Sequence, residues 1–451
     1  MIDVLHVPYT YFPDATGGTE TYVAALARGL SLHGVRSAVA APSAGAAAAT
    51  YEHAGVPVHR FPGSGTRLPL EDLYGAGDPT AAESFAAILR TVRPRIVHLH
   101  GWTSGISLRL LRVARDHGTR VAFTYHTPSV SCARGSLMIY GREVCDGALF
   151  VDRCSRCLLQ QRGVPLVIGS ALAMLPPAVG RSLRRLGVGG GPLLALRMTE
   201  LIEARHEAFR GLVAEADALV AVQDWVYDLL LFLGVPAEKL RLSRLALPEI
   251  PAATVGTVPP PRPREPGAPL RLAFFGRVDA SKGVHMVVRA MARVRDLPMR
   301  LDIFGAPQGR EGAEYLQSLQ RTAEGDDRIR FLPAVPATDV RARMAEYDAL
   351  VVPSIWMETG PLVIPEAMSV GVPVIGSNRG GITRFIHDGV DGLLVAPGDE
   401  QAWASAMRRL ATEQGLLARL RAGIRPPETM ARIVGEMLEV YATLSSVPVG
   451  A

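Results

Sequence analysis

The chain has 451 residues, 48% hydrophobic and 20% charged, which excludes a largely disordered protein and exceeds what one hydrophobic core accommodates. Its formal net charge of +5 rests on 48 basic residues, of which only Lys239 and Lys282 are lysine. Four cysteines in so long a chain exclude a disulfide scaffold. The longest uncharged stretch, residues 163–180, is broken by Pro165, Pro176 and Pro177 and reads poorly as a membrane-spanning helix. The first residues read directly as a strand rather than as a basic, apolar leader, so a cytoplasmic protein is expected.

Short apolar, β-branched runs alternate with amphipathic stretches, the pattern of α/β units on parallel sheets. Strands are expected at residues 2–7, 36–41, 96–99, 121–125 and 218–222. Helices are expected between them at 20–32, 81–91, 107–116, 200–214 and 225–233. A second series begins at Leu270, with strands at 271–275, 300–304, 329–332, 349–352, 374–376 and 392–395. Between the series, residues 249–269 are rich in Pro, Gly, Ala, Thr and Arg and read as a linker. The expected architecture is therefore α/β, with two Rossmann-like domains facing across a cleft: residues 1–248 and 270–430.

Three loops carry candidate chemistry. Between the first strand and helix, Gly17 and Gly18 can bring backbone N–H groups close to an anion at a helix N-terminus. At the start of the second series, Phe274-Phe275-Gly276-Arg277-Val278-Asp279-Ala280-Ser281-Lys282-Gly283 offers a guanidinium fork and an ammonium for phosphate oxygens. After the fourth strand of that series, Glu358 precedes a helix and Glu366 is expected about two turns into it. Glycine and backbone at Gly360, Pro361 and Leu362 lie between them. Two carboxylates so spaced can hold different hydroxyl groups of one ligand.

Taken together, these motifs resemble the family-4 retaining glycosyltransferases of the GT-B fold. The resemblance is carried by the Arg277–Lys282 loop, by Val-Val-Pro-Ser-Ile-Trp-Met-Glu-Thr-Gly-Pro-Leu-Val-Ile-Pro-Glu-Ala-Met, and by Asp-Gly-Leu-Leu-Val-Ala-Pro-Gly-Asp. In the first half it is looser, through Gly17-Gly18, Val97-His98-Leu99-His100-Gly101 and Tyr125-His126-Thr127. It implies transfer of a sugar from a nucleoside-diphosphate donor to a hydroxyl acceptor (a glycan, a lipid-linked or a small molecule), with no catalytic metal. It further implies that Arg277 and Lys282 bind the diphosphate, Glu366 the ribose, Glu358 and Gly360–Leu362 the donor sugar. His126 would face the reacting centre, and a C-terminal helix within residues 431–451 would return to the first domain. Two departures stand out: Ile382-Thr383-Arg384 follows Gly380-Gly381 where relatives carry Glu, and the loop ending the first domain, Ser243–Pro248, lacks the usual glycine. A nucleotide-sugar epimerase and a non-catalytic nucleotide-sugar-binding scaffold are the alternatives. A nucleic-acid partner is not expected, because no groove-reading module accompanies the cations.

An insertion at about residues 128–199 is distinct. It holds Cys132, Cys145, Cys154 and Cys157, whose hook-and-loop spacing suits a structural zinc site of four thiolates. From Arg153 to Thr199 there are seven arginines and no acidic residue, more than the whole net charge, interleaved with apolar sequence. That combination points to a peripheral contact with an anionic membrane surface.

Overall fold

The computed structural model describes residues 2–14, 17–43, 45, 47–65, 68–187, 190–248 and 267–446. They form two compact units, one of Met1–Pro248 with Met430–Ala451, the other of Glu249–Thr429. Most of the linker, residues 249–266, lies outside the described residues.

The first unit is built on strands β1 (Val4–Val7), β2 (Ser37–Pro42), β3 (Ala49–His53), β4 (Val56–Phe61), β5 (Ile96–Leu99) and β6 (Arg120–Tyr125). Two short strands, β7 (Met138–Ile139) and β8 (Glu143–Val144), form a separate hairpin, and β9 (Ala218–Ala221) and β10 (Leu240–Leu242) follow. The main sheet runs β10-β9-β6-β5-β1-β2-β4-β3 and is parallel except for the β3–β4 pair at its edge. β1, β5 and β9 are buried along their whole length, as parallel strands covered on both faces must be. The edge hairpin and β10 are absent from the sequence expectation. β3 is mostly exposed, so it lacks the continuous apolar run that marks its neighbours.

Helices flank this sheet. Gly18–Leu32 buries Tyr22, Val23, Leu26 and Leu30, and Pro79–Val92 starts on Asp78, whose carboxylate accepts from the N–H groups of Thr80 and Ala81. The closing helix Met430–Ser446 belongs to this unit. It packs on the Gly18–Leu32 helix, where Gly29 leaves room for Val434, and Tyr441 Oη bonds His98 Nδ1 at 2.6 Å.

The second unit has six strands: β11 (Leu270–Phe275), β12 (Met299–Phe304), β13 (Ile329–Leu332), β14 (Ala349–Val352), β15 (Val374–Ser377) and β16 (Gly392–Val395). All pair in parallel in the order β13-β12-β11-β14-β15-β16. Alternation along β11 sends Leu270, Leu272 and Phe274 to one core and Ala273 and Phe275 to the other. Strand order reverses between β11 and β14, and open α/β sheets bind ligands beyond the strand ends at that point.

Replacing Tyr441 with Phe would leave the fully buried His98 Nδ1 without its partner. The expected cost is about 1–3 kcal/mol of unfolding free energy for the first unit, measured by urea denaturation.

Candidate functional site

In the second unit the loops after β11 and β14 meet at the reversal point. Asp279 caps the turn Ala280–Lys282 by accepting from Ser281 N–H at 3.0 Å, and Gly283 follows at φ 68°, in the left-handed region. A Cβ on Gly283 would lie 2.0 Å from the carbonyl oxygen of Pro353, so only glycine lets the loops approach so closely. Ile355 N–H donates to Ser281 O at 2.9 Å and stitches them together. The Gly380-Gly381 turn presses against the same β14 loop, with Gly381 N–H donating to Glu358 O at 2.6 Å.

This backbone arrangement brings Lys282 to Glu358. Lys282 Nζ lies 2.6 Å from Glu358 Oε1, with the side chains 18% and 7% exposed. Ser354 Oγ donates to the same oxygen at 2.7 Å, and the ammonium sits 5.6 Å from the centre of the Trp356 ring. Burial would push the Glu358 carboxyl up. The Lys282 charge and the hydrogen bonds from Lys282 and Ser354 outweigh it and hold the group below its ordinary value. Glu358 is therefore an anion paired with a cation. Lys282 retains further N–H donors beyond the one given to Glu358.

Arg277 stands nearby in the same loop, partly exposed, with Nη1 3.0 Å from Gln308 Oε1 and Nε 3.8 Å from Asp279. Glu366 is closer to its helix start than the sequence implied. The helix is only Val363–Met368, so Glu366 lies in its first turn rather than two turns in. Its N–H donates to Leu362 O, and burial raises its carboxyl to about 7, with Arg341 opposing. Pro361 has no N–H, so the amides on offer in this stretch are those of Gly360, Leu362 and Val363. Ser354, Trp356 and Arg341 were not singled out by sequence reasoning. Serine and tryptophan beside a predicted strand end carried no signal of their own.

In the first unit, Gly17 caps the Gly18–Leu32 helix in extended conformation, and its N–H donates to Glu20 Oε2 at 3.1 Å. The expected anion site is thereby altered, because the helix's own Glu20 already occupies one of those donors. Ala15 and Thr16 of that loop lie outside the described residues.

His126 follows β6 and is buried in a ladder that sequence reasoning did not assemble. Its Nε2 lies 3.1 Å from His100 Nδ1, and His100 Nε2 lies 3.1 Å from His6 Nδ1. The ring of Tyr22 meets His126 edge-on at 4.9 Å. β1 pairs with β5 so that His6 stands opposite His98, which is how residues far apart in sequence converge. Buried His6 Nε2 has no hydrogen-bond partner among the described residues, and an orphaned lone pair costs less than an orphaned N–H. This assigns the protons to Nδ1 of His6, of His100 and of His126 in turn. Burial depresses His126 and His6 to about 3, so both are neutral imidazoles at physiological pH.

His6, His98 and His100 bring one ring nitrogen each within 4.8 Å of one another, the one group of three or more metal-type ligands so close among the described residues. The four cysteines are free thiols, not drawn together to that distance. They cluster nonetheless. Cys132, Cys145 and Cys157 all oppose ionisation of Cys154, whose burial already pushes its thiol up.

Two Rossmann-like units, one holding a buried Lys–Glu pair at its strand reversal, define the architecture of a GT-B glycosyltransferase. Residues 17–245 match the family described as "Glycosyl transferase 4-like domain" and residues 269–413 the family described as "Glycosyl transferases group 1". The chain belongs to these glycosyltransferases. It is 26% identical over 408 residues to a D-inositol 3-phosphate glycosyltransferase of Arthrobacter sp., covering 87% of this chain and 82% of the relative. A relative of the same name from Xylanimonas cellulosilytica is 31% identical over 253 residues, covering 51% and 58%. Among solved structures, sucrose-phosphate synthase from Thermosynechococcus elongatus has a TM-score of 0.66 at 20% identity, over 98% of this chain and 99% of that one. Anabaena HepE in complex with UDP and glucose has a TM-score of 0.59 at 16% identity, over 99% and 100%.

Replacing Lys282 with Met would strand a buried carboxylate. Denaturant unfolding should register a loss of about 3–5 kcal/mol, and the Lys282→Met/Glu358→Gln double variant should recover part of it. Equal stability of wild type and the single variant would contradict the pairing.

Proposed function

We propose that the protein is a retaining glycosyltransferase that moves a sugar from a nucleoside-diphosphate donor to a hydroxyl acceptor. The supporting observation is the Lys282–Glu358 pair at the β11/β14 reversal, with Arg277 and Glu366 on the loops beside it. Cleaving the anomeric C–O bond builds negative charge on the departing diphosphate. Lys282 and Arg277 would stabilise that charge, and one preorganised donor of this kind contributes about 3–4 kcal/mol to the transition state. Glu358, anionic and anchored, would hold a donor-sugar hydroxyl with the amides of Gly360 and Leu362. Glu366 would accept hydrogen bonds from the ribose hydroxyls. His126, a neutral imidazole, would face the substrate as a hydrogen-bonding group rather than as a cationic acid. Retention would follow if the acceptor attacks the face that the diphosphate leaves, with a phosphate oxygen taking its proton. Names of relatives such as D-inositol 3-phosphate glycosyltransferase favour a phosphorylated polyol as acceptor.

A donor panel scored for nucleoside-diphosphate release, with proton NMR of the new anomeric centre, tests this reading. Lys282→Ala should lower turnover by roughly a hundredfold or more. Donor isomerised without diphosphate release would instead indicate an epimerase, and inverted product would overturn retention.

The raised Glu366 carboxyl gives the site a pH signature. Ionised Glu366 is the better acceptor, so donor kcat/KM should fall as pH drops below about 7, and Glu366→Gln should flatten that limb. Stability runs the other way. A carboxyl raised on folding contributes fully below its unfolded value near 4.5 and loses that contribution as pH rises through about 7. Glu366→Gln should therefore melt higher than wild type at pH 8 while binding donor more weakly. A lower melting temperature there would argue against a functional carboxylate.

We further propose that the four cysteines close on a structural zinc ion and that the chain represents a four-cysteine subset of its family. The β7–β8 hairpin lies between Cys132 and Cys145. Backbone N–H groups of Tyr140 and Gly147 reach the sulfurs of Cys157 and Cys145, each at 3.4 Å, the kind of donor that supports a thiolate. Zinc would draw the thiolates into a tetrahedron and fix the hairpin. Elemental analysis should find about one zinc per chain, lost in the Cys154→Ser/Cys157→Ser variant. Metal-free protein with undiminished stability would reject the site.

A further inference from the structure

The segment beyond the cysteines is built inside-out. Helix Leu166–Ala173 buries only its small residues, Gly169 and Ala173, whereas Val167 and Met174 are each 82% exposed. Helix Pro177–Arg185 buries only Gly180, which seats it against Glu200, and Leu186 beyond it is 75% exposed. A water-facing helix does the opposite, keeping its large apolar side chains within. Nearly half of the exposed large apolar side chains among the described residues lie between positions 166 and 193.

The exposed set does not form a flat patch. Leu166, Val167 and Ile168 are consecutive, so their side chains sweep about 200° of the helix circumference. A protein partner covers a face and draws on aromatic anchors, yet residues 163–193 contain no Phe, Tyr or Trp. An apolar fluid surrounds such a protrusion without having to match it. The helices are set 85° apart and, among the described residues, no single helix is long and apolar enough to cross a membrane, so shallow insertion is the geometry available.

The electrostatics modify the sequence expectation. Of the arginines in this segment, Arg181 pairs with Glu203, Arg184 and Arg197 with Glu200, and Arg153 with Asp146. Acidic residues outside the segment thus neutralise much of its charge. Arg185 is exposed and has no ionic partner among the described residues, which leaves a small attraction to anionic headgroups.

We infer that the helical pair Leu166–Ala173 and Pro177–Arg185 docks the protein on a lipid bilayer, inserting Leu166, Val167, Ile168 and Met174 among the acyl chains, with Arg185 at the headgroups.

Co-sedimentation of the full chain with phosphatidylcholine vesicles, with and without phosphatidylglycerol, tests this. The Val167→Ser/Ile168→Ser/Met174→Ser variant should lose vesicle partition by about a thousandfold, since each buried aliphatic side chain carries roughly a tenfold effect. Leu32→Ser, at an exposed leucine on another helix, should bind as wild type does. Arg185→Gln should weaken binding about fivefold on the anionic vesicles alone. All these positions are exposed, so an unchanged circular dichroism spectrum should accompany each variant. Wild type left in the supernatant, or a triple variant that sediments equally, would overturn the inference. So would a dimer seen without vesicles and lost in the triple variant, which would make a second copy the occupant.

Discussion

A buried carboxylate is tolerable only with a cation in reach, and Glu358 has Lys282 at 2.6 Å. That contact requires the β11 and β14 loops to touch, and they touch because Gly283 presents no Cβ to Pro353. The parallel order then places this meeting at the one point in the sheet where crossovers diverge. Sequence, backbone and charge are coupled there. The scarce lysine matters less as a charge, of which arginine supplies plenty, than as a compact ammonium that fits between a serine, a carboxylate and a tryptophan ring.

The two units solve the burial of polar groups differently. In the second, opposite charges meet. In the first, His6, His100 and His126 form a single chain of neutral hydrogen bonds, His6 donating to His100 and His100 to His126. Burial forbids protonation of any of them near neutrality, so the ladder fixes a tautomer rather than storing charge. His98, bonded to Thr124 and Tyr441, stands beside this ladder and ties the closing helix to the sheet.

Much of this was legible in the sequence. Buried parallel strands such as β5, β14 and β16 read as short apolar runs, and their bounds, like those of the edge strand β13, agree with expectation to the residue. The Lys282 and Glu358 loops were legible as motifs, though not their contact, which depends on two glycine turns far apart in the chain. The edge hairpin escaped because β3 is mostly exposed and Pro57, His59 and Arg60 interrupt the apolar residues of β4, while the Glu366 helix starts later than expected, at Val363, with no side-chain cap to mark it. The histidine ladder was invisible for a deeper reason. His6 sits on β1, His100 just past β5 and His126 just past β6, and only strand register brings them together.

The basic insertion shows how far local charge counting misleads. Seven arginines without an acid in the segment read as a cationic surface, yet Glu200 and Glu203 lie just past its end and take up three of them. Glu200 is nearly buried, is gripped by the buried Arg197, and fills the space that Gly180 leaves. It therefore anchors the Pro177–Arg185 helix from beneath by charge and by shape. Glu200 and Arg197 thus face inward while several large aliphatic groups face outward, against the ordinary arrangement in water. Such a reversal persists only if the inward ion pairs are well satisfied and the outward surface finds an apolar medium. The first condition is met by Arg197 and Glu200 at 2.9 Å, and the second is what a bilayer provides.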